Sequence, residues 1–162
     1  MHVDIGAALG ESAEPGVDEA TLEELDEAVA AAHETIAAGR DNDEFGYAAL
    51  NLPAETAPAV IRETVEPVTD AEYVVTVGIG GSALGAKTVT AALADDPDRH
   101  VILDNVDPEH VERTLAGLPL EDTAINVVSK SGTTAETLAN FLVVREAIED
   151  AGGDWTELTV GT

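Results

Sequence analysis

The stretch Tyr73-Val74-Val75-Thr76-Val77-Gly78-Ile79-Gly80-Gly81-Ser82-Ala83-Leu84-Gly85 decides the fold. Its first five residues, β-branched or aromatic, suit a short strand, and the glycines that follow end it at once. From Ser82 to about Leu93 the chain reads as a helix. A strand turning on glycines into a helix is the opening of a βαβ unit. Toward the C-terminus the alternation repeats: a strand at Val101–Leu103, a helix from Pro108 to about Leu115, and a third strand at Ala124–Val128. A helix from Thr134 to about Asp150 follows, with Leu138, Phe141, Leu142 and Ile148 expected to face inward. A fourth strand at Glu157–Val160 comes last. Strands alternating with helices predict a parallel sheet, and continuous apolar strands predict cover on both faces. The expected class is therefore α/β, a three-layer α/β/α parallel sheet. A parallel sheet rarely ends on an uncovered strand, so the sheet is expected to be incomplete.

Toward the N-terminus the pattern is helical. Leu22, Leu25, Val29, Ala32 and Ile36 step by three and four along one face. Thr21 with Glu24 reads as a capping box opening this helix, and Gly39 as its C-cap. The segment Gly39–Pro53 reads as a loop in which Phe45, Tyr47 and Leu50 pin the chain to the body, and a shorter helix is expected from about Glu55 to Val65. Residues 1–17 read as a loose lead-in. The expected organisation is a helical N-terminal extension over residues 1–67 and an α/β domain over 68–162.

Composition bounds the function. The 162 residues carry 33 acidic side chains against seven basic ones, a formal net charge of −26. Such a surface repels nucleic acid and anionic lipid. The acids are spread along the whole chain and only two lysines occur, Lys87 and Lys130. This is the expected surface of a protein from a salt-loving organism, where molar salt shortens the Debye length to about 3 Å. With no cysteine there is no disulfide framework and no thiolate metal site. The N-terminus lacks the basic start and apolar core of a signal peptide, and no run is long enough to span a membrane. A cytoplasmic location is expected.

Two loops carry the chemistry. In parallel sheets ligands bind beyond the carboxyl ends of the strands. The first loop, Gly78–Gly85, lets the backbone approach an anion, and Ser82 adds a hydroxyl near the helix start. The plainer reading is a tight turn whose glycines serve packing alone. Gly78-x-Gly80-x-x-Ala83 also fits the dinucleotide fingerprint, with Asp104 after the second strand where a ribose-binding acid would sit. A P-loop fits poorly, because Ala86 separates Gly85 from Lys87; Lys87 is expected on a helix surface. The second loop, Ser129-Lys130-Ser131-Gly132-Thr133-Thr134, is dense in hydroxyls and carries a lysine. Thr133 and Glu136 form another capping-box pattern. Hydroxyls, amides and a lysine converging at a helix N-terminus suit an anion; a plain serine–threonine turn is the alternative.

Val77–Gly85 (VGIGGSALG), followed about 45 residues later by Ser129–Thr137 (SKSGTTAET), resembles the glucose-6-phosphate isomerase family, which is built from two sugar-isomerase (SIS) domains. Asn105-Val106-Asp107-Pro108-Glu109-His110 between the loops also resembles the family, and the likeness covers roughly residues 45–162. It implies an SIS-type sheet and reversible isomerisation of glucose 6-phosphate and fructose 6-phosphate, without a cofactor or metal, in a homodimer. It implies that Ser129, Lys130, Ser131, Thr133 and Thr134 hold the substrate phosphate and that Gly80, Gly81 and Ser82 border the sugar. Ser131 stands where some members have threonine, and Gly132 where they have a bulkier residue. The resemblance places the base, the histidine and the arginine of catalysis outside this stretch or on a partner subunit, so no catalytic residue is expected here. His2, His33, His100 and His110 are scattered, and ordinary structural roles are expected for them. Trp155 reads as a packing residue. Two other readings stay open: a non-catalytic SIS module that binds a sugar phosphate, and a dinucleotide-binding oxidoreductase fragment.

Overall fold

A computed structural model of the chain describes residues 4–162. His2 lies outside the described residues. The chain forms two compact units, one ending at Thr56 and one spanning Ala57–Thr162.

The first unit is dominated by α1, Glu19–Asp41. Asp18, not Thr21, is its N-cap: the Asp18 carboxylate accepts from the Thr21 amide at 2.8 Å. Gly39 is not the C-cap either; the helix runs on to Asp41 and is closed by Asn42. Gly39 is instead a packing glycine, because a Cβ there would collide with the ring of Tyr47. Tyr47 packs against α1 of its own unit, whereas Phe45 is 91% exposed and Leu50 also faces solvent. Asn51 ties the loop back: its Oδ1 accepts from Arg40 Nε and its Nδ2 donates to the Arg40 carbonyl. A short helix α2, Leu52–Glu55, closes the unit.

The second unit begins with α3, Pro58–Val65. The helix expected from about Glu55 to Val65 starts at Pro58, which takes the first helical position and holds Ala57 extended. Four strands follow, β1 Tyr73–Val77, β2 His100–Leu103, β3 Thr123–Val127 and β4 Thr159–Gly161, all parallel in the order β2-β1-β3-β4. The helices between them are α4 Gly81–Leu93, α5 Pro108–Leu115 and α6 Ala135–Asp150, with one further turn, α7 Trp155–Leu158. The α7 turn takes residues expected in the last strand. Asp154 starts it by accepting from the Thr156 amide and hydroxyl at 2.9 and 2.6 Å.

The order explains the layers. The chain moves one way along the sheet from β1 to β2, and the other way from β2 to β3 and from β3 to β4. Right-handed crossovers then place α4 on one face and α5 and α6 on the other. The α6 face is the apolar core: Val75, Val77, Leu103 and Ile125 pack with Val111, Leu115, Val144 and Ile148. Side chains alternate along strands, so Val74, Thr76, His100 and Ile102 point to the α4 face. Phe141 and Trp155 meet edge to face at 5.6 Å beside the core, which bears out the packing role of Trp155. Leu138 and Leu142, expected inside, face solvent. Thr137, Asn140, Val144 and Ile148 take the inward stripe of α6, and Asn140 is held there by donating to the Asn105 carbonyl at 3.1 Å.

Candidate functional site

The strand order reverses between β1 and β3, the place where open α/β sheets bind ligands. Both motif loops leave the sheet there. Val77 and Val127 are paired neighbours, and the ladder continues with the Val128 amide donating to the Val77 carbonyl at 2.9 Å. Adjacent strands lie about 4.8 Å apart, so the glycine loop and the hydroxyl loop start side by side.

The glycine loop is shaped by two positions. Gly80 has φ +59° and ψ −120°, a backbone that favours glycine, and it caps α4. Gly78 is buried, and a Cβ there would press against Ser82 at about 3.1–3.2 Å. The amides of Ser82, Ala83 and Leu84 turn inward to the carbonyls of Ile79 and Gly80. The start of α4 is therefore largely self-satisfied, and its contribution to an anion site is the close backbone and the Ser82 hydroxyl.

The hydroxyl loop is different. Thr134 is the N-cap of α6, yet its side chain makes no capping bond, and the Thr133–Glu136 capping box does not form. The first amides of a helix lack intrahelical partners, so those of Ala135, Glu136 and Thr137 are orphan donors at the positive end of the helix dipole. The Ser131 hydroxyl gathers the loop. It accepts from the Thr133 amide and hydroxyl, both at 3.2 Å, and lies 3.4 Å from the Thr134 hydroxyl. Gly132, at φ +65°, supplies the turn. The Ser129 amide is held by the Thr162 carbonyl at 2.9 Å. The buried hydroxyls of Ser129 and Thr137 have no hydrogen-bond partner. Buried polar groups are nearly always paired, so these two oxygens have spare capacity for a ligand or water. The structure thus brings Ser131, Thr133 and Thr134 into one cluster, with Ser129 at its base; Lys130 stands exposed. Thr137 was legible only as part of the motif, and nothing in the sequence marked its hydroxyl as buried and unpartnered.

The residues outside this cluster fall into place. Asp104, in the position of a ribose-binding acid, is 3.5 Å from Lys87 of α4. His100 opens β2 with both ring nitrogens hydrogen-bonded, Nε2 to Thr76 at 2.8 Å and Nδ1 to Thr90. Burial holds its pKa below the ordinary histidine value. His110 lies in the first turn of α5 and His33 in α1. Among the described residues no group of three or more acidic or histidine side chains is placed to hold a metal, and no helix is long and apolar enough to cross a membrane.

These features define a doubly wound α/β protein with a hydroxyl-lined, uncapped helix N-terminus at its switch point. The chain belongs to the phosphoglucose isomerase family, whose model matches residues 63–160. Over all 162 residues the chain is 70% identical to a probable glucose-6-phosphate isomerase of Haloarcula marismortui and 58% identical to one of Natronomonas pharaonis. It spans 37% of the length of each. A glucose-6-phosphate isomerase of Thermus thermophilus is 40% identical over 115 residues, 70% of this chain and 28% of that protein. Among solved structures, a hypothetical protein from Thermus thermophilus aligns with a TM-score of 0.68 at 35% identity, over 86% of this chain and 34% of that one. A glucose-6-phosphate isomerase from Chlamydia trachomatis aligns with a TM-score of 0.56 at 31% identity, over 64% of this chain and 20% of that one. The α/β fold agrees with these neighbours, and the haloarchaeal relatives agree with the acidic, lysine-poor composition.

Proposed function

We propose that this chain supplies the phosphate-binding half of a glucose-6-phosphate isomerase site. Ser129, Lys130, Ser131, Thr133 and Thr134 grip the phosphate of glucose 6-phosphate or fructose 6-phosphate, while Gly80, Gly81 and Ser82 border the sugar. The observation that carries the reading is the uncapped N-terminus of α6, with the Ser131–Thr133–Thr134 hydroxyl cluster and the unpartnered Ser129 hydroxyl beside it. The isomerisation moves a proton between C2 and C1 of the opened sugar through an enediolate, which requires a base and an oxyanion stabiliser. Those groups are assigned to chain beyond these residues or to the second subunit of a homodimer, so this stretch binds and orients. Residues 68–162 form the first SIS domain, residues 1–67 its helical extension, and the enzyme works in the cytoplasm without cofactor, nucleic acid or membrane.

The test is a binding titration in molar potassium chloride with fructose 6-phosphate and 6-phosphogluconate. Each hydrogen bond to a charged phosphate is worth about 1.5–3 kcal/mol, so Ser131→Ala or Thr134→Val should weaken affinity by about 10–100-fold. A polypeptide extended to the length of the relatives should interconvert the two sugar phosphates. Tighter binding of NAD or NADP than of either sugar phosphate would sink the reading.

A further inference from the structure

We propose that His100 is a positioning residue for the glycine loop: its ring, bonded to Thr76 of β1 at one nitrogen and to Thr90 of α4 at the other, fixes α4 on the sheet and thereby sets the loop at the head of α4. The argument starts from what α4 lacks. Ala83 is its only buried residue, and Leu84, Val89 and Leu93 are exposed. On the other face α6 is anchored by Val144 and Ile148, both fully buried. Within these residues α4 meets the sheet through little apolar contact, so polar ties count for more there. Lys87 and Asp104 make one at 3.5 Å, but both are solvent-accessible and molar salt screens the pair. The His100 bridge is the tie that is shielded. Thr76 is fully buried, and His100 is its only side-chain hydrogen-bond partner among the described residues.

The geometry gives the bridge leverage. Thr90 lies nine residues along α4 from Gly81, about 13 Å at 1.5 Å per residue. The head of the helix is fixed covalently through the glycine loop to β1, and the bridge fixes the far half. Losing it leaves α4 free to tilt about the loop, where Gly80 already sits at positive φ. A neutral ring offers one donor and one acceptor to the two hydroxyls; a protonated ring donates to both, each hydroxyl turning to accept, but it sets a positive charge in a part-buried place. The charged and titratable groups around the ring are Lys87 of α4, Asp104 after β2 and His110 of α5, which line one cleft of about 360 Å³ with His100. The neighbouring Arg99 is engaged by Asp96 at 3.1 Å and Glu72 at 3.6 Å.

The consequence for ligand binding rests on the sugar-phosphate reading; the consequence for α4 does not. The experiment is amide hydrogen exchange in molar potassium chloride, resolved for the loop 80–83, for α4 and for α6, together with fructose 6-phosphate titration. Thr90→Val removes the bridge without changing shape, and His100→Gln removes the titration. Thr90→Val should speed exchange in α4 and the loop by about 10-fold while α6 stays within about 2-fold, a local opening and not a global one. It should weaken fructose 6-phosphate binding by about 5–10-fold, a small tilt being enough to spoil a positioned contact. Lowering the pH from about 7.5 to about 5.5 should loosen α4 in the native chain by less than Thr90→Val does, after correction for intrinsic exchange, because the charged ring is poorly solvated yet keeps both hydroxyls, and it should not do so in His100→Gln. Equal change in α4 and α6, or none in either, overturns the proposal. So does a loosened α4 with unchanged affinity. If the native chain binds no sugar phosphate, the functional reading falls, and exchange at the loop amides still decides the role of His100.

Discussion

The two faces of the sheet are held by different chemistry. On the α6 face, Val75, Val77, Leu103 and Ile125 meet Val144 and Ile148 in a closed apolar layer. On the α4 face, Thr76, His100 and Thr90 form a hydrogen-bonded chain, and the large apolar residues Leu84, Val89 and Leu93 of the helix are exposed. Apolar packing is non-directional and insensitive to pH, whereas a histidine bridge is directional and titrates. The hydroxyl loop leads into the firmly packed helix, and the glycine loop into the one tied by the histidine.

The largest effect should come from the packed face. Ile148→Ala removes a fully buried side chain and should cost about 2–5 kcal/mol in denaturant unfolding. Leu93→Ala on the other face, where the residue is 78% exposed, should stay within about 0.5 kcal/mol. Equal costs would break the comparison.

Backbone strain gives the next effect. Gly80→Ala forces a Cβ into a conformation that costs about 1–3 kcal/mol. Gly81→Ala, where a Cβ meets open space, should fall within about 0.5 kcal/mol of the native chain. Thermal melts of the pair separate strain from any loss of glycine as such.

A smaller effect is the pH dependence carried by His100. Its pKa is lowered by burial, so folded and unfolded states are both neutral well above about pH 6.5. As pH falls through that value the unfolded chain binds a proton and the folded one resists, so stability declines until the folded-state pKa is passed. His100→Gln should lack this component, read as a flatter stability curve between neutral and mildly acid pH. An identical curve would remove the titrating bridge from the comparison.

The smallest effect is expected at the exposed pair. Lys87→Met should change stability by no more than about 0–1 kcal/mol, and by less as salt rises. A large cost at molar salt would mean that α4 is held by charge and not by His100.

The sequence carried the alternation of elements and both motifs, because these are local. Strand β1 and helix α5 fall at Tyr73–Val77 and Pro108–Leu115, as the β-branched run and Pro108 suggest. The inward face of α6 was misread because the helix is apolar on two sides. Leu138 and Leu142 are as periodic as Val144 and Ile148, and what separates the stripes is tertiary: Val144 and Ile148 join the sheet core, and Asn140 reaches the Asn105 carbonyl. Gly39 looked like a terminator because its partner, the Tyr47 ring, is a tertiary contact. The adjacency of the two loops also had no local signal, since it depends on β1 pairing with β3. His100 showed only its place beside a strand, and the two threonine hydroxyls that define it come from separate elements.

The parallel pairing of β1 with β3 has a kinetic consequence. Val74 meets Ala124, fifty positions along the chain, while its partner in β2, His100, is twenty-six away. Contacts between distant segments require costly loop closure and form slowly. The two site loops become neighbours only when the longer closure is complete. A ligand that needs both loops has nothing to bind in the early collapsed chain. It should therefore leave the refolding rate almost unchanged and act by slowing escape from the native state, lengthening the life of the folded sheet without hastening its birth.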